Sequence, residues 1–502
     1  MTFNRELYAK FMDEYAVVAA KYQLDKSVDF KKAAAFLGIY EEKGGETYMV
    51  RPRTGAGVLQ KETLRAICRI ANEFTPGSIH FTTRQNIQFH RVPLEDTVKL
   101  VERLVEAGLT AMGSGGNAAR NVSCSPLSGI SDDEVFDVTP FAVRVNQELT
   151  QDEQYLFLPR KYKVAFSNSS RDTANTTTAD LGFLAVLLDG KPGFKVYAGG
   201  GIGPASRVAL KIEEFIEPKD IMYYVKGMKL FFEAEGDWNN KAKARIRHIV
   251  TRLGEEEFIS LYRQTVDQLK KSENLDVDIA IKVRPMARAD DSREVVIIHP
   301  PAGTIKTSDA EKILDYLDGL GYEADIRLTL EQEMVVRNLK PSDAAGLKEL
   351  VNGFCEDKPI LQSIACVGSS ICKTGIANSQ ELLMLIREHF ADVDKEILDN
   401  APTVYISGCP SSCARHHIAG LGFMGRIKKI DYETRTFFSV HIGGKVADGG
   451  TRLSRSIGDL PMEDVPSFIE KLTRIKIESG IENIEDFFES KSSAGTIEEL
   501  FT

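Results

Sequence analysis

Four of the seven cysteines fall into two close pairs, Cys366-Val-Gly-Ser-Ser-Ile-Cys372 and Cys409-Pro-Ser-Ser-Cys413. Four thiolates delivered from two glycine-containing turns match the needs of an iron–sulfur cube, in which each iron takes one cysteine sulfur. Residues four apart present their side chains about one helical turn from each other, and Gly408 and Pro410 hold the second turn open. Structural zinc competes for the same residues. Its ligands usually sit two to four positions apart, so a C-x5-C spacing is wide for it, and His416-His417 supply a looser alternative set. Inert thiols are the third reading. Cys68 lies on an apolar helical stripe and reads as core; Cys124 and Cys355 have no neighbour in sequence and are assigned structural roles.

A second group of residues is cationic. Arg51-Pro-Arg53, Thr83-Arg84-Gln85, Ala119-Arg120-Asn121 and Leu158-Pro-Arg160-Lys161-Tyr-Lys163 each place charge near a glycine or at a predicted strand end. Taken singly, each is an ordinary solvated surface charge. Taken together they outline one anion-binding face.

The elements that must position these groups come in duplicate. Gly57-Val58-Leu59 recurs as Gly303-Thr304-Ile305, 246 positions later, and a helix follows in both places. Its apolar stripe is Leu64, Ile67, Cys68 and Ala71 in one copy and Ala310, Ile313, Leu314 and Leu317 in the other. With the offset now 247, Ile79–Gln85 lies over Ile326–Gln332, and the alternation predicts a strand. Second amphipathic helices carry Val101, Leu104 and Val105, and Leu347, Leu350 and Val351. The second copy keeps this scaffold and loses the charge: Glu331 replaces Arg84, and Ile297-Ile298-His299 replaces Arg51-Pro52-Arg53. One copy therefore builds the cationic face and the other the cysteine site.

The predicted fold class is α+β, with duplicated ferredoxin-like half-domains forming a pseudo-twofold pair plus two mixed α/β lobes. The expected domains are 1–44, a helical extension; 45–115, the first half-domain; 116–278, the first lobe; 279–357, the second half-domain; and 358–502, the second lobe. Leu253–Asp276 is charged and helix-prone and reads as a connector.

At 502 residues, 43% hydrophobic and 27% charged, the chain can bury several cores, which excludes a single small module and wholesale disorder. Lys plus Arg is 63 against 73 for Asp plus Glu, a net −10, which argues against an extended nucleic-acid surface. No apolar run reaches the roughly 20 residues of a membrane span. Charges alternate through MTFNRELYAKFMDEYA where a signal peptide would be apolar, so the expected location is cytoplasmic. An odd number of cysteines in such a chain speaks for thiol or metal chemistry rather than a disulfide framework.

Over roughly residues 45–470 the chain resembles the sirohaem-dependent sulfite and nitrite reductases, in its two cysteine spacings and in four cationic motifs that occur in the family's order. The resemblance implies a sirohaem held against a [4Fe–4S] cluster, with Cys366, Cys372, Cys409 and Cys413 as cluster ligands and the sulfur of Cys413 shared with the sirohaem iron. It also implies that Arg53, Arg120, Lys161 and Lys163 face the anionic substrate and that Arg84 and Gln85 hold the cofactor. Six-electron reduction of a small oxyanion is the implied reaction, sulfite to sulfide or nitrite to ammonia. Lys161-Tyr-Lys163 is similar to the sulfite branch, because the nitrite branch tends to carry Asn at the second position. Thr82-Thr-Arg-Gln-Asn86 and Gly420-Leu-Gly-Phe-Met-Gly425 are similar to the nitrite branch. Lys163 should touch substrate, so sulfite is the expected preference and nitrite the alternative.

Gly199-Gly-Gly-Ile-Gly203 is too weak a pattern for a dinucleotide site and is expected as a turn near the macrocycle. Electrons are therefore expected from outside, from a ferredoxin or a separate flavoprotein subunit. A zinc-stabilised binding protein, a haem-free iron–sulfur carrier and a catalytically idle sirohaem binder are the rival readings.

Overall fold

The structure, a computed structural model, describes residues 4–281 and 293–490. Residues 1–3 of the expected extension, 282–292 at the start of the expected second half-domain, and 491–502 of the expected last lobe lie outside them.

The N-terminal stretch gives helices α1 (Arg5–Leu24) and α2 (Phe30–Phe36), and then the first sheet begins with β1 (Ile39–Glu41), inside the segment expected to be helical. The first half-domain continues with β2 (Thr47–Val50), β3 (Val58–Leu59), α3 (Lys61–Phe74), β4 (Ser78–Phe81), β5 (Ile87–Pro93) and α4 (Thr97–Glu106). The second repeats it as β11 (Glu294–Ile298), β12 (Thr304–Lys306), α9 (Thr307–Asp318), β13 (Asp325–Leu328), β14 (Met334–Leu339) and α10 (Pro341–Val351).

The two copies exchange a strand. β3 leaves its own sheet and pairs with β13, Leu59 opposite Ile326, while β12 crosses back to β4, Ile305 opposite Ile79. The sheets are thus β1-β2-β5-β4-β12 and β11-β14-β13-β3, and neither half-domain closes alone. The stripes of α3 and α9 named from the sequence are all buried, in one core shared by both copies and by α1 and α2.

The strand expected over residues 79–85 stops at Phe81; Thr82–Asn86 is a hairpin turn into β5. The alternation runs on past the strand because Gln85 is buried by its hydrogen bonds and not by pairing. Gln85 adopts a left-handed φ of 55°, and its counterpart Gln332 one of 62°. The Gln85 amide donates to the carbonyls of Cys124 and Leu328, each at 2.8 Å, and accepts from the Cys124 N–H at 2.9 Å. Gln332 mirrors this, donating to Phe81 O at 3.3 Å and accepting from Ala365 N at 3.1 Å. The repeated glycines answer to the same turns: a Cβ on Gly57 would meet Leu328 O at 2.8 Å, and one on Gly303 would meet Phe81 O at 3.1 Å.

The duplication extends into the lobes. The first holds β6 (Ser123–Cys124), α5 (Thr139–Gln151), β7 (Val164–Ser167), β8 (Leu181–Leu188), β9 (Lys191–Ala198), β10 (Leu210–Ile216), α6 (Ile221–Glu235), α7 (Ile246–Leu253) and α8 (Glu255–Ser272). The second holds β15 (Ile364–Ala365), α11 (Gly368–Ile371), α12 (Ser379–Phe390), α13 (Lys395–Asn400), β16 (Val404–Ser407), β17 (Leu421–Ile430), β18 (Glu433–Ile442), β19 (Arg455–Pro461), α14 (Val465–Glu478) and α15 (Ile484–Glu489). The five-stranded sheet of each lobe has two parallel pairings followed by two antiparallel ones. α8 occupies the expected connector but is part of the lobe, with Phe258, Tyr262, Val266 and Leu269 buried in its core. Among the described residues no helix is long and apolar enough to cross a membrane.

Candidate functional site

The cysteines leave the second sheet at the carboxyl ends of its parallel strands, where α/β sheets open their binding crevices. Cys366 directly follows β15, and Cys409 lies two residues beyond β16. Burial raises the Cys366 thiol, and the rise is partly offset because its sulfur accepts from the Gly408 N–H at 3.2 Å and has the Ser379 hydroxyl at 3.2 Å. Cys372 closes the short turn of α11 through a 2.8 Å bond from its N–H to Gly368 O. The first half-domain covers that side: Lys43 N donates to Ile371 O at 2.8 Å, and Lys373 pairs with Glu41 at 2.5 Å.

The loop after β16 has a counterpart 240 positions earlier. Ser407-Gly-Cys-Pro-Ser-Ser-Cys413-Ala-Arg-His-His-Ile-Ala-Gly-Leu-Gly-Phe423 lies over Ser167-Asn-Ser-Ser-Arg-Asp-Thr173-Ala-Asn-Thr-Thr-Thr-Ala-Asp-Leu-Gly-Phe183. Both loops use the same left-handed positions, Ser412 and Arg415 in one and Asp172 and Asn175 in the other. Where the second lobe has Cys366 and Cys413 the first has Ser125 and Thr173, whose hydroxyls bond each other at 2.7 Å. The loop is therefore a property of the scaffold, and the thiols are an addition to one copy.

Cys413 is solvent-accessible yet surrounded by protein, which places it on the wall of an enclosed hollow. Burial, followed by the Cys366 thiol, pushes its own thiol up to about 12; Cys409 and Cys372 add to the rise, and Lys161 opposes it. The four thiols thus share one site. Zinc would bind them at about 2.3 Å each and bring tetrahedral sulfurs to roughly 3.8 Å of one another. Four thiols converging from a C-x5-C and a C-x3-C pair suit a larger cluster in which each sulfur meets a different metal atom. Cys68 and Cys124 are buried, Cys355 is half-buried, and burial raises all three thiols to about 12.

The cations line the same hollow. Tyr162 is fully buried, with its hydroxyl on Val225 O at 3.2 Å, so strand alternation turns Lys161 and Lys163 to the opposite side. The Arg120 N–H joins that segment through Tyr162 O at 2.8 Å. Burial first, then neighbouring cations, holds Lys161 down to about 7 and Lys163 well below the usual lysine range. Burial likewise lowers Arg84 to about 10 and Arg120 to about 9. Arg84 donates to Asn121 O at 2.7 Å, and Asn121 returns a 3.2 Å bond to Arg84 O. Arg120 bonds the carbonyls of Gly113, Gly115 and Gly116. Thr83 ties this face to the other lobe, donating to Cys413 O at 2.7 Å.

Two expected placements differ. Arg53 does not face the hollow: it is fully buried and donates to Ala119 O at 2.8 Å, Arg120 O at 3.0 Å and Asn146 Oδ1 at 3.2 Å. Its guanidinium supports the loop that carries Arg120. Arg51, two residues earlier, reaches the hollow instead and bonds Ser114 O at 2.7 Å. Gln85, with its amide committed to Cys124 and Leu328, has no donor left for a cofactor. Replacing Arg53 with Met strands three buried acceptors, and a loss of about 2–4 kcal/mol is expected at roughly 1 kcal/mol or more per acceptor. Denaturation midpoints of the variant and of an Arg51→Met control measure it.

Sequence reading missed several groups in or beside the hollow. Tyr40 is ringed by Arg120, Arg51 and Arg160; although burial raises its hydroxyl, those charges and the Gly116 N–H bring it below the usual tyrosine value. Arg245 grips the buried Asp180 through two bonds of 2.8 and 2.9 Å, and Asp180 accepts the Lys163 N–H at 3.0 Å. No motif marks Tyr40; Lys243-Ala-Arg245-Ile-Arg247 is a readable basic run. Beside the Arg245–Asp180 pair, Arg84 Nε and Arg247 Nε and Nη1 are buried without a hydrogen-bond partner among the described residues, a state that guanidinium nitrogens elsewhere, such as those of Arg387 and Arg452, share. Donors of this kind, crowded where one carboxylate is already spent, fit an anionic macrocycle with several carboxylates. The glycine run packs beside the cysteine loop: a Cβ on Gly203 would lie 3.5 Å from Ser411 O.

Comparisons with known proteins agree on the kind of site. The family model described as nitrite and sulphite reductase 4Fe-4S domain matches residues 115–270 and 356–483, and that of the nitrite/sulfite reductase ferredoxin-like half domain matches residues 40–107. The chain is 26% identical over 447 residues to the ferredoxin–nitrite reductase of Synechococcus elongatus, covering 85% of each. It is 27% identical over 450 residues to sulfite reductase [ferredoxin] 1 of Mycolicibacterium paratuberculosis, covering 86% of this chain and 80% of that one. The solved structure of the Mycobacterium tuberculosis NirA protein has the same fold, with a TM-score of 0.80 at 23% identity over 97% of this chain and 95% of the other.

Proposed function

We propose that this chain, which belongs to the nitrite and sulphite reductase family, reduces a small oxyanion in its cationic hollow, with sulfite preferred over nitrite. As a member of that family it is an oxidoreductase with sirohaem and a [4Fe–4S] cluster as cofactors. When bound, these supply an iron that holds the reacting atom and a store that delivers electrons one at a time.

The chain's own residues do the rest. Cys366, Cys372, Cys409 and Cys413 would hold the cluster, with Cys413 also reaching the sirohaem iron; Arg84 and Arg247 would take the macrocycle's carboxylates with their unpartnered N–H groups. Lys161, Lys163, Arg120 and Arg51 would draw the anion in and donate hydrogen bonds to its oxygens. Lysine can also release a proton to an oxygen leaving as water, which arginine cannot do. Thr83 of the Thr82–Asn86 turn ties this face to the cysteine loop, and the burial of these side chains reduces the screening of their charges by water.

One observation carries the preference: Lys163 shares the hollow with Lys161, Arg84 and Arg245, which act directly on its charge. A fully ionised sulfite carries two negative charges and nitrite one, so sulfite does more to restore the charge on an amine that burial and its cationic neighbours disfavour. The names of the relatives support the second reading, nitrite: among the similar ones ferredoxin–nitrite reductases outnumber the sulfite reductase, at nearly equal identity. Both names also specify ferredoxin, and a small iron–sulfur protein of that class is the proposed electron donor.

Steady-state kinetics with both anions and one reductant test this reading. A higher kcat/KM for sulfite is expected, and a value for nitrite about ten times larger, equivalent to 1.4 kcal/mol, would overturn the preference. Lys163→Asn should move the ratio toward nitrite by about tenfold or more, the weight of one charged hydrogen bond. An unchanged ratio would remove Lys163 from substrate recognition.

A further inference from the structure

Behind the cysteine loop three imidazoles converge. His416 and His417 lie on the turn that leads into β17, and His441 sits on β18 opposite Gly422. Their ligand nitrogens lie within 4.8 Å of one another, and their ring centroids are 4.1, 4.9 and 5.3 Å apart. His416 is fully buried, and among the described residues neither of its ring nitrogens has a hydrogen-bond partner; nor do His441 Nε2 and the nearby Ser412 Oγ. His441 Nδ1 has a distant contact, 3.4 Å, with Ser454 Oγ. Buried polar atoms are ordinarily satisfied, so a cluster of this kind calls for a reason.

The first lobe shows that the scaffold does not impose it. The positions matching His416, His417 and His441 are Thr176, Thr177 and Tyr197, and each hydroxyl there is bonded. Thr176 and Thr177 donate to the two oxygens of Asp172 at 2.6 Å each, and Tyr197 donates to Asp448 at 2.5 Å. In the second lobe Ser412 stands in the place of Asp172. One copy therefore has three hydroxyls satisfied by two carboxylates, Asp172 and Asp448, and the other has three clustered imidazoles with ring nitrogens left unpartnered among the described residues.

A proton relay is a poor use for them. Burial, then the neighbouring rings, holds His416 down to about 2 and His441 to about 4, and burial with Arg247 lowers His417. All three are neutral near pH 7, the form in which imidazole binds metal. We propose that His416, His417 and His441 form a site for a divalent transition metal of the zinc type, separate from the cysteine site. Zinc–nitrogen bonds of 2.0–2.1 Å need the nitrogens to close to roughly 3.4 Å, a matter of small ring rotations. His417 is the half-buried member, so the fourth position opens on its side, where water suffices and a protein carboxylate is not needed. Arg426 and Asp459 flank His441, and their charges offset each other. Such a metal would clip the loop carrying Cys409 and Cys413 to β18.

The test uses the holoenzyme, freed of loose metal by a chelating resin and equilibrated with micromolar zinc. Elemental analysis is expected to find about one zinc per chain beside the iron, and zinc-edge X-ray absorption to show a shell of nitrogens at about 2.0 Å. His417→Ala and His441→Ala should each lower retained zinc by at least about tenfold, with iron content and tetrapyrrole absorbance unchanged. Zinc retention equal in wild type and both variants, no zinc in wild type, or sulfur around the zinc would overturn the proposal. If His441→Ala fails to fold, the half-buried His417 variant and the wild-type absorption spectrum decide it. A His417→Ala protein that keeps its zinc and loses the tetrapyrrole would assign the imidazoles to the cofactor instead.

Discussion

Replacing Cys413 with threonine is expected to give a folded protein without tetrapyrrole absorbance, with its cluster iron lost and turnover lowered by more than about a thousandfold. Exchanging residues that merely support a metal ligand costs roughly 10–100-fold, and Cys413 is placed as the ligand itself. Threonine is the informative choice because the first lobe carries Thr173 at the matching position, in a loop with the same left-handed residues. The backbone around Cys413 is held independently of the thiol, by Thr83 on its carbonyl and by the Ser407 hydroxyl on Ala414 N at 3.2 Å. Far-ultraviolet circular dichroism should therefore stay unchanged while the visible spectrum disappears. Cys355→Ser is the control, since that thiol is outside the hollow, and it should keep both chromophores. A Cys413→Thr protein with near-normal absorbance and turnover would dissolve the assignment of the cysteine loop.

The cysteine and lysine motifs were legible because their chemistry depends on spacing along one short segment. Cys409 and Cys413 share one loop, and Lys161-Tyr162-Lys163 needs only strand alternation to put both amines on one side. The stripes of α3 and α9 were legible for the same reason, as local periodicity. The exchange of β3 and β12 was not, because a two- or three-residue strand carries no record of which sheet it joins; its partners lie about 250 positions away. Arg53 and Gln85 were misplaced for a related cause. Type and motif say that a side chain is polar, while the carbonyls that consume its donors, Ala119 and Arg120 for one and Cys124 and Leu328 for the other, come from distant segments. The second duplication, of Ser167–Phe183 in Ser407–Phe423, was readable in principle, but the first copy lacks the cysteines that draw attention to the second.

Lys161→Met is expected to lower kcat/KM for the anion by about 10²–10³. One charged hydrogen bond accounts for roughly 1.5–3 kcal/mol of this, and a lost proton donor for the remainder. Lys161 is singled out from the other cations because it acts on Cys413 directly and because burial, Arg245 and Arg120 bring its amine to about 7. An amine in that range is charged below neutrality and loses its charge as the pH rises through it. Capture of the anion, read in kcat/KM, should therefore weaken as the pH rises through the free enzyme's value of about 7, while the limb in kcat should lie higher because a bound anion raises it. Lys161→Arg separates the two duties: its guanidinium stays charged, so the alkaline fall in kcat/KM should move up by about one unit or more, while kcat drops because arginine does not release a proton. The pH profiles of kcat and kcat/KM for wild type and both variants check this. A methionine variant within about threefold of wild type, or an arginine variant with an unmoved alkaline limb, would place the proton and the anion with Lys163 or Arg120 rather than with Lys161.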